Sequence, residues 1–413
     1  MPIMKLWFRS FLGAVAAVGM LSTWVGRASA QTAYNLALLA DFSGPYADIM
    51  PDWGGTRHAV IDWWSKETGT GLGIQLKYKD YDHRYDPAQV ASLWPGIKSE
   101  LNPILALGEG GPDVAALQER LPDDRIPMIM STAGYGYSWK ANPWIFNPRA
   151  TYAHEAAAFF EWYRQKRGGD APVKIAIISS QAAPSYVDVN KGTEAYAREH
   201  PDRLKVVEVV FTEVQPTDLT TQIGRVVREG AEIIQIQTNT AAVVATKRAL
   251  QALGRTDVPI MMSSHNGLIT SGKAVGGLKE LEGDFEVYGM AVPTDEKTAP
   301  HEFEQTLVSK YKAPIEWTVA TVMGLNQTMV AMRAIEAAAK KNGADKITGE
   351  AVREAMLSTP ITSEQTFGIL PNLTYTKEAP FPISGLTVNI ATVKDGKYTI
   401  VADKAPVPTL SKW

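Results

Sequence analysis

The chain has 413 residues and a formal net charge of −3, with 21% charged and 45% hydrophobic residues. That balance gives no basic surface for nucleic acid or an anionic membrane to engage. Cysteine is absent, which excludes disulfides, thiolate metal sites, cysteine nucleophiles and a lipid-bearing cysteine. The six histidines are scattered without zinc-site spacing.

In chain order, the first element is an export signal. Lys5 and Arg9 precede an apolar run at 11–25, which is followed by Ala28-Ser29-Ala30. A positive start, a short apolar core and a small-x-small exit predict a cleavable secretory peptide over residues 1–30. The core is short against the roughly 20 apolar residues a membrane span needs. The processed chain then begins at Gln31 and carries a net charge of −6. It is long enough for more than one hydrophobic core.

Strand-like and helix-like segments alternate from there. Strands are predicted at 34–40, 74–78, 104–107 and 127–130, with helices at 53–66, 87–98 and 113–120. Pro95 is expected to shorten or kink the second helix. The rhythm restarts near residue 150. Helices are predicted at 153–166, 185–200, 219–229 and 241–253, and strands at 174–178, 206–211, 233–237 and 259–262. A strand at 285–290 is followed by helices at 300–312, 316–341 and 348–358. Strands at 386–393 and 398–401 close the chain, joined by Lys394-Asp395-Gly396-Lys397 as a hairpin. Alternation of this kind predicts an α/β fold with parallel strands, in two series without a low-complexity linker.

Asp41-Phe42-Ser43-Gly44-Pro45-Tyr46-Ala47-Asp48 directly follows the first strand, where open α/β sheets bind ligands. Here the sequence resembles the branched-chain amino-acid (Leu/Ile/Val)-binding family of periplasmic proteins that serve ABC importers. Further matches follow in order. They are Tyr81-Asp82-His83-Arg84-Tyr85-Asp86-Pro87, Leu107-Gly108 with its small-residue loop, Arg125-Ile126-Pro127-Met128-Ile129, Phe146-Asn147, and Gln251-Ala252-Leu253-Gly254 before Val258-Pro259-Ile260. The resemblance implies a type I periplasmic-binding fold, with two lobes hinged by three crossings. Lobe 1 would comprise 31–150 plus 290–370, and lobe 2 would comprise 151–289 plus 371–413.

The resemblance also implies a function and a site. The expected function is capture of an amino acid or related small polar or aromatic solute, delivered to an inner-membrane ABC permease by a monomer free in the periplasm. A periplasmic sensor of the same fold, feeding a membrane receptor, is the alternative. No phosphate-binding loop, nucleophile elbow or paired carboxylates suggest an enzyme, and binding needs neither metal nor cofactor.

In the family, ligand carboxylates meet backbone N–H and hydroxyl groups of two first-lobe loops. Here these are Glu109, Gly110 and Gly111, and Ser131, Thr132, Ala133 and Tyr135. Tyr46, Tyr186, Thr238, Asn239 and His265 complete the expected set. The sequence departs from the family's pattern twice. Glu109 stands where serines are usual, and either points away or meets an amine or hydroxyl of the ligand. Asp113 reads as a first-turn acid or N-cap. His265 stands near the acid that holds an amino acid's ammonium group, and is otherwise a loop histidine. Tyr46, Trp53, Tyr135, Tyr137 and Trp139 either stack on a flat ligand or pack the lobes. These departures imply a solute other than an ordinary branched-chain amino acid.

Overall fold

The computed structural model describes residues 31–131, 139–182, 184–294 and 297–413. The expected export segment lies outside them. So do Thr132, Ala133, Tyr135 and Tyr137 of the expected site.

The first sheet contains β1 (Thr32–Ala40), β2 (Ile74–Asp82), β3 (Leu105–Gly108), β4 (Met128–Met130) and β5 (Ile145–Phe146). Its order is β2-β1-β3-β4-β5, and every pair is parallel. The apolar end of β1 explains why both faces are covered. Leu36, Leu38 and Ala40 enter one core, with Trp53 and Val60 of helix Met50–Trp64 and Val322 and Met329 of helix Val319–Asn342. Ala37 and Leu39 enter another, with Val90 and Trp94 of helix Pro87–Leu101. A period of two therefore feeds two layers, as a buried parallel strand requires.

The second sheet contains β6 (Val173–Ser180), β7 (Leu204–Thr212), β8 (Ile233–Ile236), β9 (Ile260–Met262), β10 (Phe285–Tyr288), β11 (Thr387–Lys394) and β12 (Lys397–Pro406). Its order is β12-β11-β10-β9-β8-β6-β7. The strands are parallel up to β10, and the terminal hairpin then adds two antiparallel strands. Asp395 and Gly396 both take positive φ, 53° and 69°, as a tight hairpin turn demands.

Helix Pro87–Leu101 runs through Pro95 instead of stopping or breaking there. Its buried face and the Trp94 Nε1 bond to Asp124 (2.8 Å) hold it across the missing N–H. Helix Val319–Asn342 begins later than its apolar pattern suggests. Thr318 is the extended N-cap residue, and its hydroxyl donates to Asp52 Oδ2 at 2.8 Å. From Val319 to Met332 that helix is buried on every side.

Three segments connect the halves carrying the two sheets, after β5, after β10 and before β11. They are bonded to one another and to their surroundings. Tyr375 Oη donates to the Asn147 carbonyl (2.8 Å), and Asn389 Nδ2 to the Met290 carbonyl (2.7 Å). The Gly289 amide donates to Glu155 Oε1 (2.7 Å), and that carboxylate also pairs with the fully buried Arg149.

Candidate functional site

The loops at the carboxyl ends of the parallel strands of both sheets converge on one cleft. On the first-sheet side, the loop after β1 is wound around Asp41. Its Oδ1 accepts from the Gly44 amide (2.5 Å) and its Oδ2 from the Tyr46 amide (2.9 Å). A side chain at Gly44 would bring its Cβ to 2.8 Å from the Arg84 carbonyl oxygen, so the turn requires glycine. Asp82, at the end of β2, stitches this loop to the next. It accepts from the amides of Phe42 (3.0 Å) and Arg84 (3.1 Å) and from Ser43 Oγ (2.6 Å).

Arg84 and Tyr85 both adopt left-handed backbone, with φ of 53° and 56°. Two such non-glycine residues in sequence are strained. The turn holds the Tyr85 ring 4.7 Å from that of Tyr46. It also lets the Tyr85 amide donate to His83 Nδ1 at 3.0 Å. The proton of the buried His83 ring therefore sits on Nε2, which faces Glu109 Oε2 at 3.3 Å and Asp113 Oδ1 at 3.5 Å. Burial lowers the ring's affinity for a second proton, and the Asp113 and Glu109 carboxylates raise it more. The Tyr85 amide resists that second proton directly, because Nδ1 cannot accept its hydrogen and carry a proton at once.

The loop after β3 is closed by Asp113. Its Oδ2 accepts from the amides of Glu109 (2.7 Å) and Gly110 (3.0 Å), reaching back from the first turn of helix Gly111–Leu117. These are amides that the sequence assigns to a ligand carboxylate, and here a side chain of the protein takes them. Ser131, after β4, donates its hydroxyl to the Glu109 carbonyl (2.8 Å). Gly110 and Gly111 are both buried, with Gly110 extended. Burial pushes the Glu109 carboxyl up to about 7, partly offset by the hydrogen bond to His83. Arg57 is wholly buried and donates to the carbonyls of Leu39 (3.0 Å) and Leu107 (2.7 Å), locking the ends of β1 and β3 together.

The second-sheet side supplies Tyr186, Thr238, Asn239 and His265. Tyr186 lies in the first turn of helix Pro184–Glu199, and its hydroxyl meets that of Tyr46 across the cleft. Asn239 caps helix Thr240–Ala252, accepting from the Ala241 amide (3.2 Å), and its Nδ2 reaches the Pro45 carbonyl (3.4 Å). Thr238 is turned inward, its hydroxyl donating to the Val214 carbonyl (3.0 Å). His265 sits among three tyrosine rings: Tyr152 at 4.7 Å, Tyr186 at 5.6 Å and Tyr46 at 6.0 Å. Burial, helped by Arg149, pushes its ring down to about 3, so it is neutral at physiological pH. Tyr46, Ile49, Trp53, Tyr85, Glu109, His265 and Met323 line a gap of about 10 Å³, the room of a single water.

Sequence reasoning missed Tyr85, Tyr152 and Arg149 as cleft residues. Arg149 Nη2 donates to Ser264 Oγ (2.9 Å), which also bonds the Tyr152 hydroxyl (2.8 Å). Tyr85 lies within the Asp-rich segment that carried the resemblance. Arg149 and Tyr152 follow Phe146-Asn147 closely. Reading on from those two motifs would have reached all three residues. Among the described residues no His, Asp and Glu group is arranged to hold a metal ion. No described helix is long and apolar enough to cross a membrane.

Residues 33–388 match the family model described as periplasmic binding protein. The chain belongs to that family. Its fold is also that of several solved structures. A branched-chain amino acid ABC transporter protein from Thermus thermophilus with bound valine aligns with a TM-score of 0.77 at 18% identity, covering 90% of this chain and 96% of that one. A fatty acid ABC transporter substrate-binding protein from Thermomonospora curvata gives 0.73 at 17%, covering 91% and 95%. A solute-binding protein from R. palustris in complex with 4-hydroxybenzoate gives 0.68 at 19%, covering 90% and 96%. At such identities the likeness is one of fold, here the type I periplasmic-binding fold. No curated protein matches the chain.

Proposed function

We propose that this periplasmic binding protein is the exported solute-binding component of an ABC importer. It captures a small polar or aromatic solute between two lobes and hands it to an inner-membrane permease without chemical turnover. In this reading residues 1–30 are removed on export. Lobe 1 is 31–150 plus 290–370, and lobe 2 is 151–289 plus 371–413. The observation that carries the reading is the pairing of Tyr46, on the loop after β1, with Tyr186, in the first turn of the helix after β6, which belong to separate sheets. Such a site is complete only when the two sheets approach, which is how a hinged trap works. Solved relatives of this fold hold valine or 4-hydroxybenzoate.

The gap of about 10 Å³ is far below the volume of a small-molecule pocket, so capture requires the cleft to widen around the solute. Native mass spectrometry of protein purified from its own host reads the mass of a retained solute. Adding that solute back should raise the melting temperature and reduce the radius of gyration in solution scattering. Tyr46→Ala and Tyr186→Ala should each abolish both responses. A protein that retains no solute and responds to none of a broad metabolite panel would refute the role.

A further inference from the structure

This inference rests on the cleft being the solute site and concerns what holds two of its loops in place. Helix Val319–Asn342 is buried on every side as far as Met332, and Gln327 lies within that stretch with no exposed surface. A carboxamide among apolar side chains costs stability unless its hydrogens are bonded. Here Gln327 Nε2 donates to the Gly108 carbonyl (2.6 Å) and to the Ile129 carbonyl (2.7 Å). These partners fix the orientation of the amide, since the reverse would set Oε1 against two carbonyl oxygens.

The two carbonyls stand where two of the cleft loops begin. Gly108 ends β3 and is followed by Glu109, while Ile129 lies in β4, which is followed by Ser131. The strands are short, four residues in β3 and three in β4. Their ladder closes with a long bond from the Ser131 amide to the Gly108 carbonyl (3.3 Å). Strand ends of this kind open locally unless something else holds them. Gln327 spans the ends of β3 and β4, as Arg57 spans those of β1 and β3. Met323, one turn earlier on the same face of the helix, lines the gap. Asn326 donates to the sulfur of Met290, in the segment that crosses between the halves after β10. One turn of one helix thus ties two loops, the gap and a crossing segment together.

We infer that Gln327 is a positioning residue for solute binding. It is not part of the lining of the gap and acts through the two loops. It fixes the spacing between the loop that opens at Glu109 and the loop that opens at Ser131, so a solute meets both already in place. Without its amide the two loops move separately, and the solute must order them as it binds.

Gln327→Met tests this, because it keeps the length and bulk of the side chain and removes both donors. Thr328→Val is the control. Thr328 is equally buried at the next position of the same helix, and its hydroxyl has no partner among the described residues. The compound released from wild-type protein purified from its own host is identified by its mass and titrated back into each form by calorimetry. Hydrogen exchange is followed on the solute-free forms. Gln327→Met should weaken binding by about tenfold, the effect of losing one to two hydrogen bonds' worth of order. It should speed exchange of the Glu109, Gly110 and Ser131 amides while leaving β6 and β8 unchanged. Thr328→Val should match the wild type in both measurements. Gln327→Asn, which shortens the arm by one methylene and draws its amide off at least one carbonyl, should show the same pattern to a lesser degree, and serves if the methionine variant folds poorly. Unchanged affinity, faster exchange spread equally over both sheets, or equal losses in Thr328→Val would overturn the inference and leave the solute-binding role intact. A wild type that retains no compound and responds to none overturns both.

Discussion

At the scale of single residues, the cleft shows what a sequence conveys and what it hides. That Tyr46, Glu109, Ser131, Asn239 and His265 lie at strand ends follows from their place after apolar runs; Tyr46, Glu109 and His265 border one gap, and Tyr186, in the first turn of a helix, meets Tyr46. How their hydrogen bonds are shared cannot be read from spacing. The capture of the Glu109 and Gly110 amides by Asp113 depends on the loop closing back on its own helix. Likewise the neutrality of His265 depends on burial and on Arg149, which is remote in sequence. Glu109 yields a measurable consequence. Its carboxyl is raised from 4.5 to about 7 in the folded protein, so folding favours the protonated form. That contribution is complete below 4.5 and is lost as pH rises through about 7. The side-chain amide introduced by Glu109→Gln stays neutral throughout. Melting temperatures between about pH 5 and about pH 8 should therefore show the variant gaining on the wild type as pH increases. A difference that shrinks with pH would mean that the His83 pairing, not burial, governs this carboxyl.

At the scale of elements, long periodic segments were legible because burial acts on every third or fourth residue of a helix and on alternate residues of a strand. Short buried strands such as β3, β4 and β9 were legible as apolar runs, but two other short elements were not read from periodicity. β5 is two residues long and helix Leu268–Val275 is eight, too short for either period to establish itself. The antiparallel ending of the second sheet was legible from Asp395-Gly396, since that dipeptide matches a specific turn. Pro95 misled for an instructive reason. A proline removes one hydrogen bond and crowds the carbonyl four residues back, but a helix anchored by tertiary contacts tolerates both. Here Val90, Trp94 and Ile97 are buried, while Pro95 itself is exposed. Replacing it should thus disturb no packing and restore the N–H. Pro95→Ala is expected to stabilise the protein by about 2 kcal/mol, less the entropy the unfolded chain regains. Urea unfolding reads the change as a higher midpoint with an unchanged slope. A lower midpoint would show that the helix is built around the proline's shape.

At the scale of the whole molecule, the two sheet-bearing halves meet in two ways. Within the cleft the Tyr46–Tyr186 contact is buried, and that of Asn239 with the Pro45 carbonyl is half-buried. At the rim the contact is ionic. Lys273, on the helix that follows β9, pairs with Glu316, just before the central helix that packs beneath the first sheet. Both side chains are more than half exposed, at 53% and 57%. Exposed pairs of this kind contribute about 0.2–1 kcal/mol and weaken with salt. If the halves open about the three crossing segments, this pair exists only when they are closed, so its energy enters the affinity for solute rather than the stability of either half. Lys273→Glu replaces attraction with repulsion at the rim. It should weaken solute binding by about two- to tenfold at low salt, and should expand the unliganded protein in solution scattering. Its melting temperature without solute should be nearly unchanged. The double variant Lys273→Glu with Glu316→Lys restores opposite charges and should recover both affinity and compactness. Around 1 M salt, where charges further apart than about 3 Å are screened, the single variant and the wild type should converge. Equal affinities at low salt would show that the rim pair persists in the open form and plays no part in closure.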